Sequence, residues 1–446
     1  MALRRALLEP PARSPRDRRG GFVNHAGTVR VSPAAWYDPA DEDAVARFVA
    51  GAAATGRKVR VVGAGHSWSP IAAPVDLALS LDRLSGVVTR GPGWVRVRAG
   101  TRLRDLIPAL SQHGETLPIL GSITQQSVAG AVATATHGSS LSHGNLSSLV
   151  LAARLVTADG SCVEMGPGDE RLDAIRVHLG ALGVVTELTL RTVPAFSLAE
   201  TIEQVPLADV GRRAEAFGHS AEFVKVWWMP HTPKVMVFRY ERTTEPMTRW
   251  PSPETQRMVE TWLPRAVVPA LFTWHQKHPG AIPLFNRVAT RWLLKRRRVG
   301  PSPLMLTTPE PVGHHETEAA VPLPAGGEAF DRVVRLIDRL GLRVNFILEL
   351  RYAPADSGWM STAYGTDVAH LGACTAVTSQ RRAYFEPFWQ EMRRLGGRPH
   401  WAKEMDHDAA EIRALYPMAE RFCTLRDQMD PNRVFANPFL EQVLGR

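Results

Sequence analysis

The sequence predicts an α+β protein of two domains, and three observations lead there. At 446 residues the chain is longer than one ordinary hydrophobic core accommodates. Across residues 21–196, short apolar runs rich in β-branched side chains alternate with segments of helical period, the pattern of an α/β or α+β domain. Beyond residue 196 the character shifts: Trp227, Trp228, Trp250, Trp262 and Trp274 crowd a proline-bearing region in which no glycine-rich turn recurs. Residues 197–395 therefore read as a second domain covering the first, followed by a C-terminal segment over residues 396–446.

Residues 1–20 carry Arg4, Arg5, Arg13, Arg16, Arg18 and Arg19 among Pro10, Pro11 and Pro15. No apolar stretch follows either arginine pair, so they read as a disordered basic leader rather than a signal peptide. Asp41 caps a helix beginning at Glu42, with acids in its first turn and Gly56 past its end. A strand over residues 58–62 then feeds Gly63-Ala64-Gly65-His66-Ser67-Trp68-Ser69-Pro70. Gly63 and Gly65 can take positive φ and let the backbone approach a ligand closely. Successive exposed N–H groups make a nest for phosphate oxygens. With His66 at its mouth, the loop reads as the holder of a dinucleotide. The doubly wound G-x-G-x-x-G loop fits poorly, because Trp68 takes its third position and Pro70 stops a helix. A tight strand-to-strand turn with a surface histidine is the plain alternative.

Strands follow over residues 77–81 and 94–98, then a helix over 103–113 that Gly114 ends. In residues 120–140, every position from Ser127 to Thr136 is small or β-branched. Ser127 is an N-cap, and the small side chains let a flat ligand lie against the backbone; a buried small-residue helix packed on a sheet is the alternative. Two such loops at strand ends favour one large cofactor that needs both. Residues 145–158 and 161–165 form a hairpin around Asp159-Gly160, residues 171–179 a helix, and residues 183–190 a strand closed by Pro194. Arg287, Arg291, Lys295 and Arg298 lie at helical spacing beside Trp292, Leu293 and Leu294. Such a helix could rest on an anionic membrane, but a solvated basic face outweighs it, since one short basic segment is a marginal anchor. In a strand over residues 345–352, Phe346, Leu348 and Leu350 face one way, and Asn345, Glu349 and Arg351 the other. That polar side suits a hydroxyl-rich substrate; an exposed sheet face is the alternative. Residues 397–403 precede a helical run over 409–429.

Composition narrows the function classes. Cys162, Cys374 and Cys423, odd in number and far apart, give neither a disulfide framework nor a C-x-x-C pair, which fits a reducing, cytoplasmic compartment. No apolar run approaches a membrane span. The +9 net charge owes much to the leader, and no nucleic-acid module accompanies it, so no nucleic-acid partner is expected. His314-His315, His400 and the cysteines lack metal-ligand spacing, and there is no G-x-S-x-G elbow or Walker lysine.

Four motifs resemble one family. Gly63-Ala64-Gly65-His66-Ser67, Ser127-Val128-Ala129-Gly130 with Ala133-Thr134-Ala135-Thr136-His137-Gly138, Glu349-Leu350-Arg351, and Pro399-His400-Trp401-Ala402-Lys403 are similar to those of aldonolactone and alditol oxidases. These flavoproteins of the vanillyl-alcohol-oxidase class include L-gulono-1,4-lactone and D-arabinono-1,4-lactone oxidases. The resemblance covers residues 21–446 and implies a two-subdomain FAD-binding domain, an α+β substrate cap, and a C-terminal segment returning to the flavin. It implies that Val61, Val62, Gly63, Ala64, Gly65, His66, Ser67, Gly121, Ser122, Ser127, Gly130, Thr134, Thr136, His137, Val185 and His400 hold FAD, with His66 covalently bonded to it. Ser122, Glu349, Arg351 and Lys403 are the implied catalytic set: Arg351 and Lys403 supply positive charge, and Glu349 accepts the hydroxyl hydrogen bond or holds Lys403. Gly121 matches a position that gates oxygen, which implies an oxidase forming hydrogen peroxide from a sugar lactone or polyol. A dehydrogenase with another electron acceptor, or an oxidase of a specialised natural-product alcohol, is the alternative. Ala402 stands where the family more often has glycine, and Cys374 where lactone oxidases often have histidine; both bear on which sugar is taken.

Overall fold

The computed structural model describes residues 15–249, 252–292, 297–308 and 313–446. Within these residues the N-terminal part is built on two small sheets. Strands Ala35–Tyr37 and Val59–Val62 flank Leu77–Ser80 in a parallel sheet. An antiparallel sheet runs in the order Cys162–Met165, Val150–Val156, Val184–Arg191, Trp94–Arg98, Val87–Gly91. The helix Glu42–Ala54 forms where its cap predicts: the Asp41 carboxylate accepts from the Ala44 N–H at 2.7 Å. The Asp159-Gly160 turn closes the hairpin, pairing Cys162 with Val156.

The second domain is one long antiparallel sheet. Its order is Arg298–Pro301, Ser197–Pro206, Lys234–Thr243, Phe223–Trp228, Leu348–Ala353, Val368–Thr375, His315–Pro322 and Arg398–Pro399. Side chains alternate across it. Val224, Val226, Leu348, Leu350, Leu371, Ala319 and Val321 face helices Val210–Gly218, Gly326–Arg339 and Arg381–Arg394, where a hydrophobic core forms. The residues between them, including Lys225, Glu349, Arg351, His370, Glu316 and Glu318, lie on the opposite face. The core of the first domain takes in Ile412, Tyr416, Phe422, Phe435, Leu440 and Leu444, so the chain's end packs there.

Several expectations need correction. Residues 15–20 do not lie apart from the fold: Arg16 bridges to Phe22, and the Val23 N–H donates to the Pro15 carbonyl at 2.8 Å. Residues 1–14 lie outside the described residues. Arg298 is not on the helix with Arg287; helix Ile282–Trp292 ends before it, and Arg298 sits on a strand, paired with buried Glu200 at 2.6 Å. Trp250, Leu293, Leu294 and Lys295, and the side chains of Trp262, Arg291 and Trp292, fall outside the described residues. The 345–352 strand begins only at Leu348, so Asn345 leaves the face of Glu349; its Oδ1 instead accepts from the Ala376 N–H at 3.0 Å. The 409–429 run is two helices, Ala409–Leu415 and Ala419–Met429, because Pro417 holds Tyr416 extended. Helix 171–179 stops at Ile175, and Leu179 takes a left-handed φ of 54°.

Candidate active site

Strand Val59–Val62 delivers the glycine turn onto the segment that follows Leu120. A Cβ on Gly63 would stand 2.7 Å from Ser127 Oγ, so only glycine lets the two loops meet there. Gly65 has a φ of 68°. Ser127 caps the short helix Val128–Ala133, its hydroxyl accepting from the Gly130 N–H at 3.2 Å. A Cβ on Gly121 would press on the Thr136 methyl at 2.8 Å, so the space beside Gly121 is bounded by Thr136. The C-terminal segment is tied to the same turn. Trp68 N–H donates to the Ala402 carbonyl at 2.7 Å, and Ser69 Oγ to the Trp401 carbonyl at 2.6 Å.

These pieces enclose a cleft of about 1340 Å³. Every residue that the resemblance assigns to the flavin lines it, from Val61 to Ser67, through Gly121, Ser122, Ser127, Gly130, Thr134, Thr136, His137 and Val185, to His400. The lining fits a flavin dinucleotide. His66 is buried, stacks on His25 at 4.3 Å, and has no hydrogen-bond partner for either ring nitrogen among the described residues. Burial, with His25, Arg102 and Lys403 nearby, holds its imidazole well below the usual pKa and therefore neutral. An uncharged, unpartnered ring nitrogen in a glycine-lined cleft suits attachment to a cofactor.

The polar face of the second sheet closes the cleft. Arg351 Nη2 donates to Ser122 Oγ at 2.7 Å and pairs with Glu349 at 2.6 Å. Glu349 receives the Trp227 indole N–H at 2.5 Å on its other oxygen and does not line the cleft. Burial opposes its ionisation, but Arg351, Lys225 and Trp227 outweigh that and keep its carboxyl below the usual range. Lys403 pairs with Glu316, not with Glu349, and lies 4.2 Å over the Trp68 ring. Backbone bonds from His400 to Glu318 (3.1 Å) and from Glu404 to Glu316 (3.0 Å) set that register. Burial, reinforced by Glu318, pushes the Glu316 carboxyl up despite Lys403.

Glu316, Glu318 and His370 belong to the site although sequence reasoning missed them. Glu318 lies 2.6 Å from His137 Nε2 and 3.0 Å from His370 Nδ1, and the two rings stack at 3.7 Å. Burial disfavours the Glu318 carboxylate, but His137, His400 and His370 outweigh it and hold the pKa well below normal. Burial brings His370 down to about 4. The donor atoms of His137, Glu318 and His370 lie within 4.8 Å of one another and are engaged with each other. The signal for Glu316 and Glu318 was their period-two spacing in His315–Pro322, beside the adjacent histidines that drew attention first. Arg60, from the strand before the turn, is buried and donates to the carbonyls of Ile71, Leu179, Gly180 and Phe435. Burial lowers its pKa to about 9.

Comparison with known proteins identifies the family. Residues 33–166 match the FAD binding domain and residues 188–443 the D-arabinono-1,4-lactone oxidase family. The chain is 34% identical to an L-gulono-1,4-lactone dehydrogenase of Mycobacterium tuberculosis, over 95% of this chain and 99% of that protein. It is 30% identical to an alditol oxidase of a Streptomyces species, over 95% and 98%. The fold is also that of cholesterol oxidase from B. sterolicum, with a TM-score of 0.81 at 18% identity, covering 95% of this chain and 96% of that one. The chain belongs to the D-arabinono-1,4-lactone oxidase family and is an FAD-dependent oxidoreductase.

Proposed function

We propose that the protein oxidises a CH–OH group of an aldono-1,4-lactone or alditol and uses molecular oxygen as acceptor. The observation that carries this reading is one cleft in which the neutral His66 and the glycine turn face the Arg351–Ser122 and Lys403–Glu316 pairs. FAD, when bound, supplies the two-electron acceptor, and its reoxidation by oxygen yields hydrogen peroxide. The protein's part is alignment and charge. His66 anchors the cofactor covalently. Arg351, braced by Glu349, and Lys403, braced by Glu316, hold positive charge where negative charge develops on the alcohol oxygen and the reduced cofactor. Glu316 Oε takes up the hydroxyl proton, since burial raises its pKa above the usual carboxylate value and makes it a stronger base. Ser122 Oγ, held by Arg351, orients the substrate hydroxyl.

The purified protein should be yellow, remain yellow after acid denaturation, and form peroxide with at least one member of an aldonolactone, alditol and aldose panel. Free release of FAD from wild type on denaturation would refute the His66 bond; silence across the whole panel would refute the substrate class. A second reading, the same oxidation with a non-oxygen acceptor, is favoured by the name of the 34%-identical relative. Oxygen uptake decides between them: turnover with a dye but not with air selects the dehydrogenase.

A further inference from the structure

A second, smaller and narrow chamber shares Ser122 and Arg351 with the main cleft. Half of its remaining wall comes from the second sheet, and its one ammonium is that of Lys225. Strand alternation puts Lys225 on the face of Trp227 and Glu349, toward the site. Its Nζ lies 4.5 Å from the Trp227 ring, 5.2 Å from Phe238 and 5.7 Å from Tyr240. Such rings stabilise a cation without accepting strong hydrogen bonds. Among the described residues the ammonium has one hydrogen bond, a long one of 3.5 Å to Thr308 Oγ1, and no ion pair. An ammonium carries three donors and no acceptor, so most of its capacity is left for a ligand.

The chemistry of that ligand follows from what stands around it. Arg351, the other charged group of the chamber, is also donor-only. A polyol hydroxyl placed between them can accept from both but must send its own proton to a third group, such as Ser122 Oγ, whereas a carbonyl needs no third partner. A carbonyl oxygen presents two lone pairs and no proton. We infer that Lys225 binds the carbonyl oxygen of an aldono-1,4-lactone and is the residue that favours a lactone over an otherwise matching compound without the carbonyl. This rests on the function proposed above. Burial, opposed by Glu349 and aided by Arg351, lowers the Lys225 pKa to about 8, so the group is still charged at neutral pH and loses its charge just above it.

The test compares an aldono-1,4-lactone with the matching 1,4-anhydroalditol, in which CH₂ replaces the carbonyl. The lactone Kd comes from anaerobic flavin bleaching, and the anhydroalditol Ki from competition against it. Wild type should prefer the lactone, and Lys225→Met should reduce that preference at least about tenfold, the scale of a lost charged hydrogen bond. Lys225→Arg should keep a substantial part of it. Methionine retains the packing of the stem on the rings, and an unchanged flavin spectrum and melting temperature verify the fold. Should the methionine variant not fold, wild type and Lys225→Arg together decide: in wild type, lactone affinity should weaken as pH rises through about 8, with anhydroalditol affinity level. Glu349, Arg351, Glu200, Arg298 and Tyr240 face the ammonium, so the Arg variant's flat profile over this range assigns the titration. Equal weakening of both compounds in Lys225→Met, or none, overturns the assignment and leaves the oxidase reading standing. A wild-type flavin that no lactone bleaches overturns the assignment, and one that no lactone, alditol or aldose bleaches overturns the oxidase reading as well.

Discussion

At the scale of single residues, the site acids are paired differently from what the motifs suggest. Glu349 is committed to Arg351 and Trp227 through its two oxygens, whereas Glu316 lines the cleft with a raised pKa. Glu316→Gln should therefore cost about 10²-fold or more in kcat, the usual worth of a general base. It should also remove the fall in kcat that wild type shows as pH drops through the Glu316 pKa. A Gln variant that keeps that acid limb would place the base elsewhere. Lys403→Met should lower kcat about 10²–10³-fold with a smaller change in KM, as expected for charge stabilised in the transition state. His66→Ala should release FAD on acid denaturation, measured as yellow colour left in the supernatant. His66, Arg351 and Lys403 were legible because each lies inside a compact motif. Glu316, Glu318 and His370 were not: the period-two spacing of the two acids says only that they share a face, and what that face meets lies across strand pairs that no local window contains.

At the scale of elements, the site is where a glycine turn, a small-residue segment and a pleated sheet converge. Gly63→Ala should weaken flavin retention while leaving most of the fold, because the added methyl meets Ser127 Oγ at 2.7 Å and displaces the hydroxyl that caps helix Val128–Ala133. The ratio of visible to ultraviolet absorbance in purified protein measures this. Arg60 joins strand Val59–Val62 to the 179–180 turn and to Phe435, so one side chain ties three distant stretches. Arg60→Met should destabilise the protein by roughly 3 kcal/mol in urea unfolding, since buried carbonyls lose their donors. The strand Leu348–Ala353 shows how far pattern goes: alternation places Glu349 and Arg351 on one face correctly. It could not show that Asn345 lies before the strand, because the same alternation continues through residues that never pair.

At the scale of the whole molecule, folding buries imidazoles that ionise freely in an unfolded chain. Burial lowers His178, His370 and His407 to about 4, and His66 and His400 well below their usual value. As pH falls from 6.5 toward 4 the unfolded chain takes up protons that the native state refuses, so stability is greatest above 6.5 and is lost below it. Each such histidine contributes up to about 1.4 kcal/mol per pH unit. Melting temperature should be clearly lower at pH 5 than at pH 7; equal values would mean that these groups are protonated in the native state. The sequence by itself determined the two domains' composition, the glycine turn, the Asp41 and Ser127 caps and the motifs of the family, all of which depend on neighbours along the chain. Only the tertiary structure decided that Lys403 pairs with Glu316, that Arg298 answers Glu200 instead of lengthening a basic helix, and that Lys225 stands in an aromatic box beside Arg351. Those pairings join positions tens to hundreds of residues apart, and a buried charge takes whichever partner the packing of strands brings within reach.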